Sequence, residues 1–422
     1  MNTNRVDSIL RNVVKLTSEL KESLPDGFEG SYLTIPEYWD KQFLIEDSLE
    51  TYEKIKDLLL QEKWGEKFSE KFIDAVIRKA IANTKKYGIE EAKQQFIEEC
   101  SKVESYSTEM TVYIPLGGIQ IDHQVNQPIS LGNIELLHVS EQVLEDIQRQ
   151  GNAITRTTTH SKEDIDSFIQ EDNKTLSENF LHKVCAIHYI IAEPEKALEV
   201  ANKETQKALN LLRYTIPAVC DRSGLEVRID VDSLVPSNTQ NTIVLSPKFF
   251  GKQWKRSREE YRISPDVMEI LEDLGVFKLS ELLQKSYVDL NEFEKVLLRG
   301  IYWFGTSQTH MDVENEFLNL TICLEVFFTP HSGDPISSTI AESTALWIGR
   351  DLEERKRIKD RIKKLYSKRS KVSHGGSNAI DEQSVVDLRV IARRVVTKMI
   401  ERRSEFEKKK DVSSWLEDQK LS

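Results

Sequence analysis

The sequence predicts an α+β chain that is mostly α, and three textures in succession predict it. Residues 1–105 carry apolar side chains at three- and four-residue spacing, as from Leu49 to Leu60 and from Phe72 to Ile81, the period of amphipathic helices. Residues 110–122 and 129–139 instead alternate β-branched or apolar positions with polar ones, and Gly117-Gly118 and Gly132-Asn133 interrupt them as turns do. From Ser264 onward the helical spacing returns. The expected organisation is a helical region over 1–105, an α+β module of possible sensor or regulatory role over 106–255, an all-α helical bundle over 256–410 and a tail over 411–422.

Within the α+β module a helix rich in Ala and Leu is predicted from Ser177 to Leu212, followed by strands at Leu225–Val231 and Thr242–Leu245. Gly117-Gly118 reads as a hairpin turn and not a phosphate loop, because no helix opening on Lys-Ser/Thr follows it. In the C-terminal part the spacing predicts helices over Pro265–Leu274, Leu279–Gln284, Leu290–Trp303, Met311–Phe328, Ile336–Gly349, Leu352–Val372 and Asp381–Lys409. Two prolines and a glycine make Thr329–Pro335 a loop. Beyond Lys410 the tail should fray, apart from an anchor at Trp415-Leu416.

A length of 422 residues exceeds what one core usually spans, so two or three domains are expected. A hydrophobic fraction of 39% and a charged fraction of 30% belong to a soluble globular protein. No apolar run approaches the roughly 20 residues needed to cross a bilayer, and the first residues lack a signal-peptide core, so a cytoplasmic protein without membrane contact is expected. Cys100, Cys185, Cys220 and Cys323 form no Cys-x-x-Cys pair and have no histidine at zinc-ligand spacing. They read as reduced, mostly buried thiols, and His182 and His188, six residues apart, add no metal pattern.

The net charge of −12 is unevenly spread. From Arg350 to Ser422 there are 21 Lys and Arg against 13 Asp and Glu, a net +8, which leaves −20 for residues 1–349. In the predicted helix Leu352–Val372, Ile358, Ile362, Leu365, Arg369 and Val372 follow at intervals of four, three, four and three, a single stripe. Arg369 therefore stands on the packing face. Upstream, the helix containing Phe317–Phe328 is apolar nearly all round except for Glu325, and a buried lone carboxylate is costly, so Glu325 should pair with Arg369. Tyr366 lies beside the stripe, as a packed aromatic or as a platform for a base. The charged run 353–371, with Lys364, Lys368 and Lys371, is either a solvated helix face or an RNA-binding track. His374 falls at the helix end set by Gly375-Gly376, and five helical residues place it about 140° around from Arg369. The two meet if that last turn unwinds or if a second subunit supplies the facing half.

The stretch Leu365-Tyr-Ser-Lys-Arg-Ser-Lys-Val-Ser-His-Gly375 resembles the motif of the HEPN superfamily, an arginine and then a histidine a few residues on. Its form is similar to the Apea-like branch: Leu-Tyr, two residues, Arg-Ser, a short gap, His-Gly. A helix with a central glutamate (Glu325), a helix ending in Ala345–Gly349, the charged run Asp351–Arg357 and a long final helix follow the family's order. The resemblance covers residues 290–405; upstream, Ile114–Ile119 and Ala208–Arg213 resemble loosely the front halves of some such proteins. Ser370 follows the arginine where many active members carry Asn, Asp or His, and serine is usual for the Apea-like branch.

The resemblance implies a C-terminal all-α HEPN bundle that forms a homodimer, with two Arg-His pairs in a shared basic cleft and no metal or cofactor. It implies an endoribonuclease acting on tRNA or mRNA in prokaryotic anti-phage defence, by abortive infection. Arg369 would hold the scissile phosphate and His374 would move the proton, leaving a 2′,3′-cyclic phosphate. Glu325, Ser370 and Tyr366 would support them. Residues 1–250 would sense a phage trigger or a regulatory partner, or restrain the nuclease, their acidic balance masking the basic cleft. Two alternatives stand beside this one: a non-catalytic HEPN module for dimerisation or RNA binding, and the toxin of a toxin–antitoxin pair.

Overall fold

The computed structural model describes residues 3–24, 28, 31–36, 41–45, 47–126, 128–158, 165–220, 226–232, 239–246, 249–256, 258–309, 312–328, 336–373 and 380–421. The fold is α+β and mostly helical, in two compact units: Met1–Val112 with Tyr189–Asn202, and Tyr113–His188 with Lys203–Ser422. No helix among the described residues is long and apolar enough to cross a membrane.

The first unit contains α1 (Thr3–Ser18), the antiparallel pair β1 (Tyr32–Pro36) and β2 (Lys41–Ile45), α2 (Asp47–Leu59), a π-helical turn at Leu60–Trp64, the short α3 (Gly65–Lys67), α4 (Glu70–Tyr87) and α5 (Ile89–Tyr106). Its core is built by the expected period: Ile9, Val13 and Leu16 of α1 meet Ile55 and Leu59 of α2 and Ile73, Ile77 and Ile81 of α4. The β1–β2 pair departs from the all-helical expectation for 1–105. Here the period is two, with Ile35 and Leu44 fully buried while Tyr32 stays exposed.

The chain continues into β3 (Thr108–Gly117), β4 (Ile119–Ile121), β5 (Ile129–Leu131), β6 (Ile134–His138), α6 (Glu141–Thr158), α7 (Ile165–Phe180), β7 (Val184–Ala192) and α8 (Pro194–Val219). Then come β8 (Glu226–Val227), β9 (Asp230–Val231), the antiparallel pair β10 (Thr239–Ser246) and β11 (Phe249–Arg256), β12 (Arg258–Glu259) and β13 (Tyr261–Ile263). One sheet has the order β5-β6-β7-β3-β9. Gly132-Asn133 turns the β5–β6 hairpin as expected, with Leu131 opposite Ile134. Gly118 does not turn a hairpin: β3 and β4 belong to different sheets, and β4 pairs in parallel with β13. At Gly118 φ is +71°, and a Cβ would stand 1.7 Å from the Arg228 carbonyl oxygen, so only glycine fits.

The predicted helix Ser177–Leu212 is corrected. Its middle is β7, a run rich in apolar and β-branched residues whose first five positions are buried, and Pro194 opens a new helix at N1.

The C-terminal helices are α9 (Pro265–Asp273), α10 (Val276–Gln284), α11 (Glu292–Ser307), α12 (Val313–Phe328), α13 (Ile336–Ile348), α14 (Leu352–Ser373), α15 (Glu382–Glu401) and α16 (Lys409–Leu421). Each lies within a few residues of its prediction, except that the last predicted helix ends at Glu401. The tail is not frayed: it is α16, with Val412 and Leu416 buried. The expected anchor is real, because Trp415 meets Trp347 edge-on with centroids 5.0 Å apart and the Arg402 guanidinium lies 4.2 Å from the Trp415 ring centroid. On α11, a Cβ at Gly300 would come 2.2 Å from the Phe327 ring, so glycine lets α12 approach closely.

The boundary expected at 255 does not separate compact units, since residues 113–188 and 203–422 form one. The pairings that override it are distant in sequence. Tyr261 registers with Ile119, Gly132 N–H donates to Ser280 Oγ at 2.7 Å, Tyr214 Oη and Thr397 Oγ1 are 2.5 Å apart, and Arg228 donates to the Thr309 carbonyl at 2.8 Å.

Two predictions follow from this packing. A fragment starting at residue 256 strands the faces that meet α8, β4 and β5, so it should show no cooperative thermal transition, whereas a 113–422 fragment retains more of them. The second concerns Glu354, which is buried. It accepts from the Arg350 N–H at 3.0 Å and guanidinium at 2.9 Å and from Arg394 at 2.9 Å. These bonds, those of Arg350 first, hold its pKa down at about 2 against an ordinary 4.5. A depressed acid contributes stability above 4.5 that disappears as pH falls toward 2. Glu354→Gln should therefore cost about 1–3 kcal/mol at pH 7 in urea denaturation and little near pH 2.

Candidate functional site

The site is built on α14 and α12. Asp351 caps α14, its carboxylate accepting from Glu354 N–H at 2.8 Å. From there the predicted stripe runs inward: Ile358, Ile362 and Leu365 are buried, and Arg369 takes the next place on the same face, half-buried. On α12, Phe317, Leu320, Thr321, Leu324 and Phe328 are buried around Glu325.

The expected partnership forms. Arg369 Nη2 lies 3.2 Å from one Glu325 carboxylate oxygen and 3.4 Å from the other, with 32% and 19% of the two side chains exposed. Burial is the stronger influence on the carboxylate: it raises the Glu325 pKa above its ordinary value, against the opposing pull of Arg369 and a hydrogen bond with Tyr366. Tyr366 is buried, 4% exposed, and its hydroxyl donates to the Thr321 carbonyl at 3.3 Å. That position closes the base-stacking option for Tyr366 in this conformation and makes it a packed brace for Glu325. Burial also drives its own pKa well above the ordinary phenol value.

The remaining predicted residues divide. Lys364 and Ser370 are exposed on the outer face of α14. Lys368 is not an open cation: it forms an ion pair with Asp381 and donates to Ser384 Oγ at 2.8 Å, at the first turn of α15. Asp381 also caps α15 through Ser384 N–H at 2.8 Å. The Asp-x-x-Ser spacing marks that helix start in the sequence, but the link from Lys368 to it had no local signal. The side chain of Lys371 and the whole of His374 lie outside the described residues. The helix α14 continues to Ser373, so its final turn stays wound at least that far.

The sequence reading also missed a second carboxylate–arginine link on α12. Arg389 of α15 holds Glu316, one Nε–Oε1 distance being 2.8 Å. Cys185 and Cys323 are buried free thiols and Cys220 a partly buried one, all with pKa raised by burial. Among the described residues no group of three or more His, Cys, Asp or Glu is placed to hold a metal ion.

A carboxyl whose folded pKa is raised contributes stability below its ordinary 4.5, and that contribution is lost as pH climbs through the folded value. Glu325→Gln should flatten this loss in a pH series of urea melts. Arg369→Ala leaves the carboxylate without its cation and should cost about 1–3 kcal/mol at pH 7, and adding Glu325→Gln to it should recover part. An Arg369→Ala chain as stable as the parent would show that the pair is idle.

No family model matches this chain, and no match to it is found among the curated proteins or the solved structures.

Proposed function

We propose that the C-terminal helices form a HEPN-type endoribonuclease, metal-independent and working as a homodimer on tRNA or mRNA, in prokaryotic anti-phage defence. The observation that carries the reading is the Arg369–Glu325 pair: an arginine on a packing face, anchored by a carboxylate from the neighbouring helix, four residues before the end of α14. Anchoring matters because an arginine that is to grip a phosphate loses less freedom when its fork is already oriented.

His374 follows α14 directly. On a continuous helix the five-residue spacing sets His374 about 140° around from Arg369, so the proposed site is completed by a partner copy's Arg369 at a two-fold axis. In that arrangement one His374 takes the proton of the ribose 2′-OH while the 2′-oxygen attacks phosphorus. The 5′-oxygen leaves with a proton from the second His374, and Arg369 neutralises the charge building on the phosphoryl oxygens. The ends produced are a 2′,3′-cyclic phosphate and a 5′-hydroxyl. Regulation by residues 1–250, or by a phage trigger or partner protein, belongs to the same proposal.

A second reading is a non-catalytic dimerisation or RNA-binding module; the pairing of Lys368 with Asp381 and the burial of Tyr366 leave two of the nominated RNA contacts occupied and, within that reading, favour dimerisation over RNA binding. One experiment separates the two. The full chain is incubated with labelled tRNA and mRNA in EDTA, beside Arg369→Ala and His374→Ala. The nuclease reading expects cyclic-phosphate ends from the parent and a loss of about a hundredfold or more in both variants. RNA binding or dimerisation without cutting, in the presence of phage lysate as well, decides for the module.

A further inference from the structure

We propose that the pocket formed by α8, α10 and α11 binds a small amphiphile, a medium-chain acyl body carrying one carboxylate head. The pocket holds about 370 Å³, within the range of roughly 300–1,000 Å³ typical of small-molecule sites.

Its floor is aliphatic. Leu211, Leu282, Leu290 and Ile301 line it and are each no more than 5% exposed. The buried polar side chain in the lining, Asn210, already accepts from Arg213 at 3.0 Å through its amide oxygen. A floor of this kind rewards methylene groups and offers little to a ligand whose body is rich in hydrogen-bonding atoms.

The mouth has the opposite character. Lys295, Leu298, Arg299 and Tyr302 follow at three- and four-residue spacing and so share one face of α11, the side turned toward the pocket. Lys207 and Lys285 also line it, but each is paired, Lys207 with Glu204 at 2.5 Å and Lys285 with Glu294 at 2.8 Å. Lys295 and Arg299 have no carboxylate partner among the described residues. Lys295 instead lies 4.6 Å from the centroid of the Tyr287 ring. Arg299 acts on Lys409, adding to burial in lowering that amine's pKa while Glu292 opposes the shift. The mouth thus keeps a surplus of positive charge.

Tyr287 and Tyr302, which also line the pocket, are 72% and 51% exposed. Two large aromatic side chains exposed around a pocket whose floor is aliphatic and whose rim is cationic suit a ligand that enters tail-first and leaves its anion at the rim. The tail displaces water from Leu and Ile surfaces, and the carboxylate meets Lys295 and Arg299.

Calorimetry on the full chain tests this with octanoate, octan-1-ol and AMP as probes. Octanoate should bind saturably at one site, and octanol, with the same tail and no charge, at least about tenfold more weakly. Lys295→Ala/Arg299→Ala should weaken octanoate about tenfold or more and leave octanol unchanged, its thermal unfolding confirming that the variant folds. No saturable octanoate binding, equal affinity for octanol, or indifference to the double variant would overturn the proposal. Binding of AMP in preference to octanoate would overturn the acyl assignment and mark a nucleotide pocket. The readout is binding and not cleavage, so its outcome is independent of whether the chain cuts RNA.

Discussion

A carboxylate set in a helix that is otherwise almost wholly apolar on its inner side dictates much of what surrounds it. Glu325 stands among Thr321, Leu324 and Phe328 on α12, where an ion without a partner would cost several kcal/mol. Arg369 supplies the opposite charge from the inner side of α14, and three residues before it Tyr366 packs in, its hydroxyl donating to the Thr321 carbonyl one turn before Glu325. The pair therefore fixes the rotation of α14 about its own axis as well as its approach to α12. Turning the helix by one residue would carry Arg369 some 100° away and leave Glu325 buried against hydrocarbon.

The same device recurs around the bundle. Arg389 on α15 reaches Glu316 near the start of α12, and Arg394 on α15 reaches Glu354 at the start of α14 and the Ile348 carbonyl at the end of α13. Hydrophobic burial alone chooses weakly among sliding positions of helices whose inner faces are mostly apolar. Ion pairs that cross from helix to helix do, because each is favourable in one register and leaves a desolvated charge in the others. Close contacts such as Gly300 under the Phe327 ring remove the remaining freedom. Stability comes from the core, and uniqueness from the charged links at its edges.

How far the sequence carried this picture depends on how local each feature was. The helices from Pro265 onward and the Glu325–Arg369 pair were legible, because period and the cost of a buried charge are both readable in a short window. The strand β7 was not. Its run of apolar residues lies between two helical patterns, and only its neighbours in the sheet decide that it is extended. The join between the α+β module and the helices was invisible for a related reason. It rests on Tyr261 opposite Ile119 and Ser280 beside Gly132, pairings between residues far apart in the chain. His374 belongs to another class: the sequence nominates it by resemblance, and it lies outside the described residues.

Charge is where the structure most changes the argument for RNA. A surplus of eight positive charges over Arg350–Ser422 reads in the sequence as a basic surface, yet many of its cations are held in ion pairs within the chain, and four of the acids that answer them, Glu281, Glu316, Glu325 and Glu342, lie outside the segment and so subtract from that surplus. Arg350 and Arg394 serve Glu354, Lys359 serves Glu342, Arg361 serves Asp387, Lys368 serves Asp381 and Arg369 serves Glu325. Cations committed in this way contribute little to a field that would draw a polyanion, since each is cancelled at short range by its partner. What remains on the outer face of α14 is a small exposed group, Lys363 and Lys364 among it. A protein that recognised RNA through an extended basic track would be poorly served by this arrangement. One that grips a single phosphate with an oriented arginine needs only Arg369 and whatever a second copy brings to face it. The weight of the functional reading therefore rests on the geometry of one ion pair and not on the net charge of the region.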